Sequence, residues 1–140
     1  QSGPVENMIQ AKGKTYTLAS LLRDEKLAEQ FAHGSFATIY LAPFNYHRIH
    51  CPVKGKVIGA SYCPGTLWPV NKGSVERIEG LFCINERLTT HLDCGDGAEM
   101  LVFKVGATSV ARIAVENEPS LSTNASVLSK KKSRLDWKPC

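Results

Sequence analysis

The sequence predicts an α+β fold, mostly antiparallel β with a short helical segment near the N-terminus and a disordered basic tail. Three observations carry that expectation. Leucines recur at helical spacing between residues 17 and 32. After Gly34 the chain changes to short runs of β-branched and aromatic residues separated by Gly and Pro. Beyond Glu116 the periodicity stops, and a Ser, Thr and Asn-rich stretch leads into Lys130, Lys131 and Lys132. The 140 residues fit one ordinary domain, with a folded part over residues 1–118 and a tail over 119–140.

The elements follow in order. Leu18, Leu21 and Leu22 share one helical face, which Leu27 and Phe31 extend. Thr17 stands where an N-cap belongs, and His33-Gly34 reads as the stop, with Gly in the position that favours left-handed backbone. Phe36–Leu41 reads as a strand. Val53–Tyr62 alternates loosely around Gly55 and Gly59 and reads as a bent or bulged strand. Pro64-Gly65 marks a turn. Arg87–Leu92 and Glu99–Val105 read as strands joined by the turn Asp93–Gly97. Thr108–Val115 reads as a final strand.

Charge and cysteine content narrow the function classes. Of 17 basic and 13 acidic residues, five and one lie in residues 130–138, so the remaining chain holds 12 of each and the net +4 sits in the tail. A basic nucleic-acid face on the folded part is not supported, and no nucleic-acid partner is expected. The tail reads as a solvated end, although a basic tail could touch anionic lipid at about 1 kcal/mol per Lys or Arg. The longest apolar runs are strand-sized, well short of a membrane span. Cys51, Cys63, Cys83, Cys94 and Cys140 form no CxxC pair and are odd in number, which points to reduced thiols acting as small apolar residues.

The segment richest in chemistry is Tyr46-His47-Arg48-Ile49-His50-Cys51-Pro52, bracketed by Pro43 and Pro52 between two expected strands. Two imidazoles within four residues suit proton transfer near neutral pH. The same residues could instead ligate a metal with Cys51 or His91, or simply bond to nearby backbone. A second charged segment, Asn85-Glu86-Arg87, enters a strand. There Arg87 could hold a carboxylate or phosphate in a bidentate pair, or an internal ion pair of Glu86 or Arg87 could hold the turn. Asn71 reads as a substrate contact or as the end of a strand, and Trp68 as a lipid or core contact, the core being favoured.

Five elements in order resemble the phosphatidylserine decarboxylase family. They are the Tyr46, His47, His50, Pro52, Gly55 pattern, Gln10–Gly13 with Tyr16 and Leu18, Pro64–Asn71, Leu81–Arg87 and Val105–Val110. The resemblance implies a pyruvoyl-dependent decarboxylase that converts phosphatidylserine to phosphatidylethanolamine. The pyruvoyl group of that family arises when the proenzyme cuts itself between Gly and Ser, leaving the group on an alpha chain. It implies that His50 is the base for self-cleavage, that His47 stands beside the substrate and protonates the carbanion left by carbon dioxide, and that Tyr46, Asn71, Asn85, Glu86 and Arg87 bind substrate or shape the site. It further implies a membrane surface as partner, bacterial or mitochondrial inner; no metal is expected, because two His at i, i+3 in a loop are a weak metal signal.

The chain departs from the family pattern at two places. Its last glycine is Gly106, so no Gly-Ser follows the Val105–Val110 element, and the only Gly-Ser pairs are Gly34-Ser35 and Gly73-Ser74. The Asp of the family's Ala-Asp-Gly stretch has no counterpart either. The expectation is that these 140 residues alone are inactive, with open strand edges that make them marginally stable. The alternative is a non-catalytic fragment or paralogue that binds lipid or a partner.

Overall fold

The computed structural model describes residues 1–11, 14–116, 118–123 and 133–135. Strand β1 (Ser2–Pro4) leads through a 3-10 turn at Val5–Asn7 to the small hairpin of β2 (Ile9–Ala11) and β3 (Lys14–Thr15). Helices α1 (Leu18–Leu22) and α2 (Glu25–Gln30) come next, then β4 (Ser35–Ala37), which pairs antiparallel with β1. A long irregular loop runs to β5 (Lys56–Cys63). Helices α3 (Lys72–Arg77) and α4 (Leu81–Ile84) separate β5 from the hairpin of β6 (Arg87–Gly95) and β7 (Ala98–Val105). Beyond it β8 (Ala114–Val115) pairs with β9 (Glu118–Ser122), and β10 (Ser133–Leu135) adds to the main sheet. That sheet has the order β10-β5-β6-β7, antiparallel throughout. The α+β, mostly antiparallel architecture expected from the sequence is the one observed. Two parts of the expected disordered tail, β9 and β10, are extended and paired, while residues 124–132 and 136–140 lie outside the described residues.

The helical segment forms for local reasons. Thr17 accepts from the Ser20 amide and the Ser20 hydroxyl accepts from the Thr17 amide, which closes a capping box on α1. Asp24 caps α2 through the Leu27 amide. Between them Arg23 adopts φ 54° and its amide donates to the Ala19 carbonyl. The second stop comes earlier than expected: α2 ends at Gln30 with Phe31 as its cap, and Gly34 only donates back to the Phe31 carbonyl at 2.9 Å. Leu18, Leu21 and Leu22 are buried as their spacing predicts.

The sheet presents two faces, and helices cover one. Met8, Leu18, Leu22 and Ala28 form a core against which Leu27, Phe31, Leu101 and Phe103 pack. The pairs Thr89↔Phe103 and His91↔Leu101 put Thr89 and His91 on the same face as Leu101 and Phe103, and period-two alternation adds Arg87. The opposite face carries Leu88, Leu92 and Ala60, all buried, with Lys104 opposite Leu88. The expected bulge in β5 is present as a register shift between Val57 and Gly59. The β6–β7 turn passes through Gly95, Asp96 and Gly97 with φ of 84°, 52° and 75°, which explains two glycines within three residues.

Four sequence expectations require correction. The strand expected over Phe36–Leu41 stops at Ala37. The Thr38 amide still bonds to the Gln1 carbonyl at 2.6 Å, but residues 39–55 join no described ladder. The strand expected over Thr108–Val115 is reduced to an Ala107↔Val110 bridge and β8, because Arg112 sits at φ 65° and breaks the extended run. Helices α3 and α4 were not expected at all. Trp68, expected in the core, is 48% exposed.

Candidate functional site

The two histidines lie on the loop between β4 and β5. An Ala42–Asn45 turn opens it: the Asn45 amide donates to the Ala42 carbonyl at 2.8 Å, and the Ala42 amide returns a bond to Asn45 Oδ1 at 2.7 Å. At its far end the Cys51 thiol donates to the Val53 carbonyl at 3.0 Å. Gly55 then passes against β6 so closely that a Cβ there would lie 2.7 Å from the Asp93 carbonyl oxygen. Any side chain would push the loop off the sheet, which is the physical reason for glycine at the end of the histidine pattern.

Within this loop Tyr46 Oη and His50 Nε2 are 2.8 Å apart. Their rings also stack, with centroids 5.6 Å apart and planes 2° from parallel. Tyr46, His50 and Cys51 are exposed. His47 differs: its ring is half-buried, and its Nε2 is enclosed without a hydrogen-bond partner. The loop therefore pairs a solvent-facing Tyr–His couple with an imidazole whose enclosed Nε2 has no hydrogen-bond partner. His91 belongs to a different constellation, on β6, where Nε2 lies 2.8 Å from Glu99 Oε2 and the ring packs edge-on to Phe31. Among the described residues no group of three or more His, Cys, Asp or Glu side chains converges as a metal site would require.

Asn85, Glu86 and Arg87 are all buried. The Asn85 amide group ties three segments together. Its Oδ1 accepts from Thr66 Oγ1 and the Trp68 amide, and its Nδ2 donates to the Trp68 and Gly106 carbonyls, each at 2.9 Å. Glu86 Oε2 accepts from Tyr62 Oη at 3.0 Å, while Oε1 is enclosed without a partner. Arg87 reaches toward the helices instead. Its Nε donates to the Leu21 carbonyl at 2.5 Å, one terminal nitrogen donates to Cys83 at 2.6 Å and Asn85 at 2.9 Å, and the other donates to Ser20 at 3.3 Å. Burial is the main cause that lowers its pKa from the ordinary guanidinium value; the Cys63 thiol opposes that shift and Arg23 adds to it. With no exposed surface, this guanidinium holds the ends of α1 and α4 through backbone carbonyls. In place of the internal ion pair of Glu86 or Arg87 weighed from the sequence, Glu86 is bonded by Tyr62 and Arg87 bonds to carbonyls. Asn71, also singled out by the sequence, is the N-cap of α3, accepting from the Ser74 amide at 2.9 Å.

Sequence reasoning assigned no site role to two polar residues, the buried Gln10 and the half-buried Lys104. Gln10 donates to the Val75 and Ile78 carbonyls at 2.9 and 2.5 Å and accepts from the Leu81 amide at 2.7 Å, which links β2 to both α3 and α4. Lys104 donates to Thr90 Oγ1 at 2.9 Å, and burial lowers its pKa to about 8. Their only sequence signal was a polar side chain inside an otherwise structured run. The two Gly-Ser pairs are absorbed into regular elements, Ser35 in β4 opposite Pro4 and Ser74 in the first turn of α3.

A histidine loop seated on one end of the β5–β6 ladder and a buried Asn-Glu-Arg turn at the other define the two polar clusters of an antiparallel domain. The family model described as phosphatidylserine decarboxylase matches residues 1–133. The phosphatidylserine decarboxylase proenzyme of Anaeromyxobacter sp. (strain K) is 52% identical over 123 residues, which is 86% of this chain and 43% of the relative. That of Myxococcus xanthus (strain DK1622) is 51% identical over 105 residues, 75% of this chain and 37% of the relative. That of Brevibacillus brevis is 45% identical over 109 residues, 77% and 39% of the two chains. The chain belongs to the phosphatidylserine decarboxylase family. It spans about two fifths of the length of these curated relatives. No helix among the described residues is long and apolar enough to cross a membrane.

Proposed function

We propose that this chain is the acid/base part of a pyruvoyl-dependent phosphatidylserine decarboxylase. It would act on phosphatidylserine at a membrane surface to give phosphatidylethanolamine and carbon dioxide, with the pyruvoyl group carried on an alpha chain. The single observation that carries this reading is the histidine loop, in which Tyr46 holds His50 while His47 keeps an enclosed, unpartnered nitrogen. Those residues fit such a group: an enclosed imidazole nitrogen without a partner is suited to a reacting centre supplied from outside the loop. When present, the pyruvoyl group supplies the electron sink for the breaking carbon–carbon bond.

The chain's own residues supply protons and position. His47 holds the proton that passes to the substrate carbon losing carbon dioxide. His50, oriented by Tyr46 Oη, takes a proton from the hydroxyl that starts self-processing, the role a general base plays beside a serine nucleophile. Gly55 seats the loop on the sheet, and Asn85 with Glu86 fixes the 64–71 segment and Gly106 around the sheet end. Asn71, Asn85, Glu86 and Arg87 have structural roles in this reading, holding α3, α4 and the 64–71 segment at the Arg87 end of β6.

The test separates the two histidines. In the intact gene product that carries these residues, His50→Gln should block chain separation by intact mass. His47→Gln should leave separation intact but lower carbon dioxide release from phosphatidylserine vesicles by about 10²–10⁴-fold. Wild-type turnover in His47→Gln, or complete absence of turnover and processing in the unaltered protein, would refute the reading.

A further inference from the structure

The outer strands of the β5-β6-β7 ladder are guarded in different ways. β7 lies at one edge of the sheet and carries Glu99 and Lys104 within its length. Charged residues on an edge strand discourage pairing with another chain. β5 lacks that protection, because residues 57–63 hold Val, Ile and Tyr with no charged residue and no proline. An uncharged run of that length and β-propensity is prone to pair with copies of itself when its edge is open.

Two features deal with the β5 edge. The register shift between Val57 and Gly59 interrupts its first half, and such a bulge twists an edge away from flat pairing. From Gly59 to Cys63 the strand is regular, pairing residue for residue with β6. On the other side of that regular stretch lies β10, with Ser133 opposite Tyr62, Arg134 opposite Ser61 and Leu135 opposite Ala60. β10 is three residues long and follows Lys130, Lys131 and Lys132 in the sequence. A strand that short, next to a run of like charge, offers little for a further chain to pair with. We propose that the basic tail is an intramolecular edge strap: β10 occupies the regular half of the β5 edge and keeps the chain from associating with a second copy through β5. The strap joins β5 over three residues, whereas β5 and β6 pair along their length, so it is the part of the sheet that opens first and can be released without unfolding the rest. This inference is independent of the decarboxylase reading.

The experiment uses the full 140-residue chain, with residue-resolved hydrogen exchange and sedimentation velocity over a concentration series. In the unaltered chain, the amides of residues 60–62 that point away from β6 should exchange at least about tenfold more slowly than the outward amides of β7. Ser133→Pro combined with Arg134→Pro should release the strap, since one of two consecutive amides must point at β5 and proline donates none. Those β5 amides should then exchange at least about tenfold faster in dilute solution. The variant should also associate at a concentration at least about tenfold lower than the unaltered chain, with the β5 amides regaining protection as it does so. Removal of residues 130–140 should act in the same way, which covers the case in which the double proline variant does not fold. Ser133→Ala combined with Arg134→Gln keeps both amides and should behave like the unaltered chain. Equal exchange at the outward amides of β5 and β7 in the unaltered chain overturns the proposal, as does unchanged association in the proline and shortened chains. Association without recovered protection at β5 places the contact elsewhere, and association of the alanine–glutamine variant assigns the effect to side chains; either result also overturns it.

Discussion

Replacing Arg87 tests whether this residue braces the fold or binds an anion. Arg87→Met keeps most of the side-chain volume but removes four hydrogen bonds, to the carbonyls of Ser20, Leu21, Cys83 and Asn85. The site has zero exposure, so water does not replace the lost donors. A buried carbonyl left unsatisfied costs about 1–3 kcal/mol. Several such carbonyls would sum higher, but the variant is also relieved of desolvating a guanidinium, a penalty of several kcal/mol. The expected net loss is about 3–5 kcal/mol, in the range found when a buried charged network is broken. Against a total stability on the order of 5–15 kcal/mol, that is a large fraction of the fold. Arg87→Lys should lose nearly as much, because one ammonium cannot reach carbonyls on both α1 and α4. The assay is urea unfolding followed by circular dichroism, comparing midpoints at equal slope. If Arg87→Met unfolds within about 1 kcal/mol of the unaltered chain while vesicle-bound turnover collapses, the bracing role is wrong and Arg87 serves an anion.

Further expectations follow from the same geometry. Lys104, with its pKa lowered to about 8 by burial, binds fewer protons folded than unfolded above that pH. Its charge therefore weakens the fold fully below about pH 8, and the effect fades as pH rises toward the unfolded value near 10.5. Lys104→Met should stabilise the chain at pH 7 by about 1–3 kcal/mol, and that advantage should shrink in melts near pH 10; a pH-independent difference would refute the assignment. Gly55→Val should dislodge the histidine loop, since even a Cβ meets the Asp93 carbonyl at 2.7 Å; it should cost about 1–3 kcal/mol, and unchanged stability would show that the loop does not need this close approach. Asn71→Ala removes the α3 cap and should lower stability by about 1 kcal/mol, with Asn71→Asp restoring most of it. Gln10→Leu leaves three backbone groups of α3 and α4 without their partner and should cost at least about 2 kcal/mol in the same unfolding assay.

Local signals explain which parts of the fold were legible. The Thr17 cap, the leucine face of α1 and the glycine turn between β6 and β7 depend on residues within a few positions of one another, so the sequence shows them directly. Helices α3 and α4 escaped because they are six and four residues long, shorter than the window over which helical periodicity can be counted. Gln10 holds both from far along the chain, and Arg87 ties α4 to the distant α1. Phe36–Leu41 has strand composition throughout, but only the part opposite β1 finds a ladder.

The candidate site divides the same way. The residue pattern alone singled out Tyr46, His47 and His50, because two imidazoles in a proline-bracketed loop are a compositional fact. It also carried the family resemblance and the glycine that ends the loop. Only the tertiary structure decided that Arg87 turns inward to carbonyls, that Asn71 is a cap, that Asn85 joins three segments, and that Tyr46 Oη lies within hydrogen-bond reach of His50. A polar side chain carries its chemistry in the sequence but not its partner, and burial and direction are set by which distant segments the fold brings within hydrogen-bond reach.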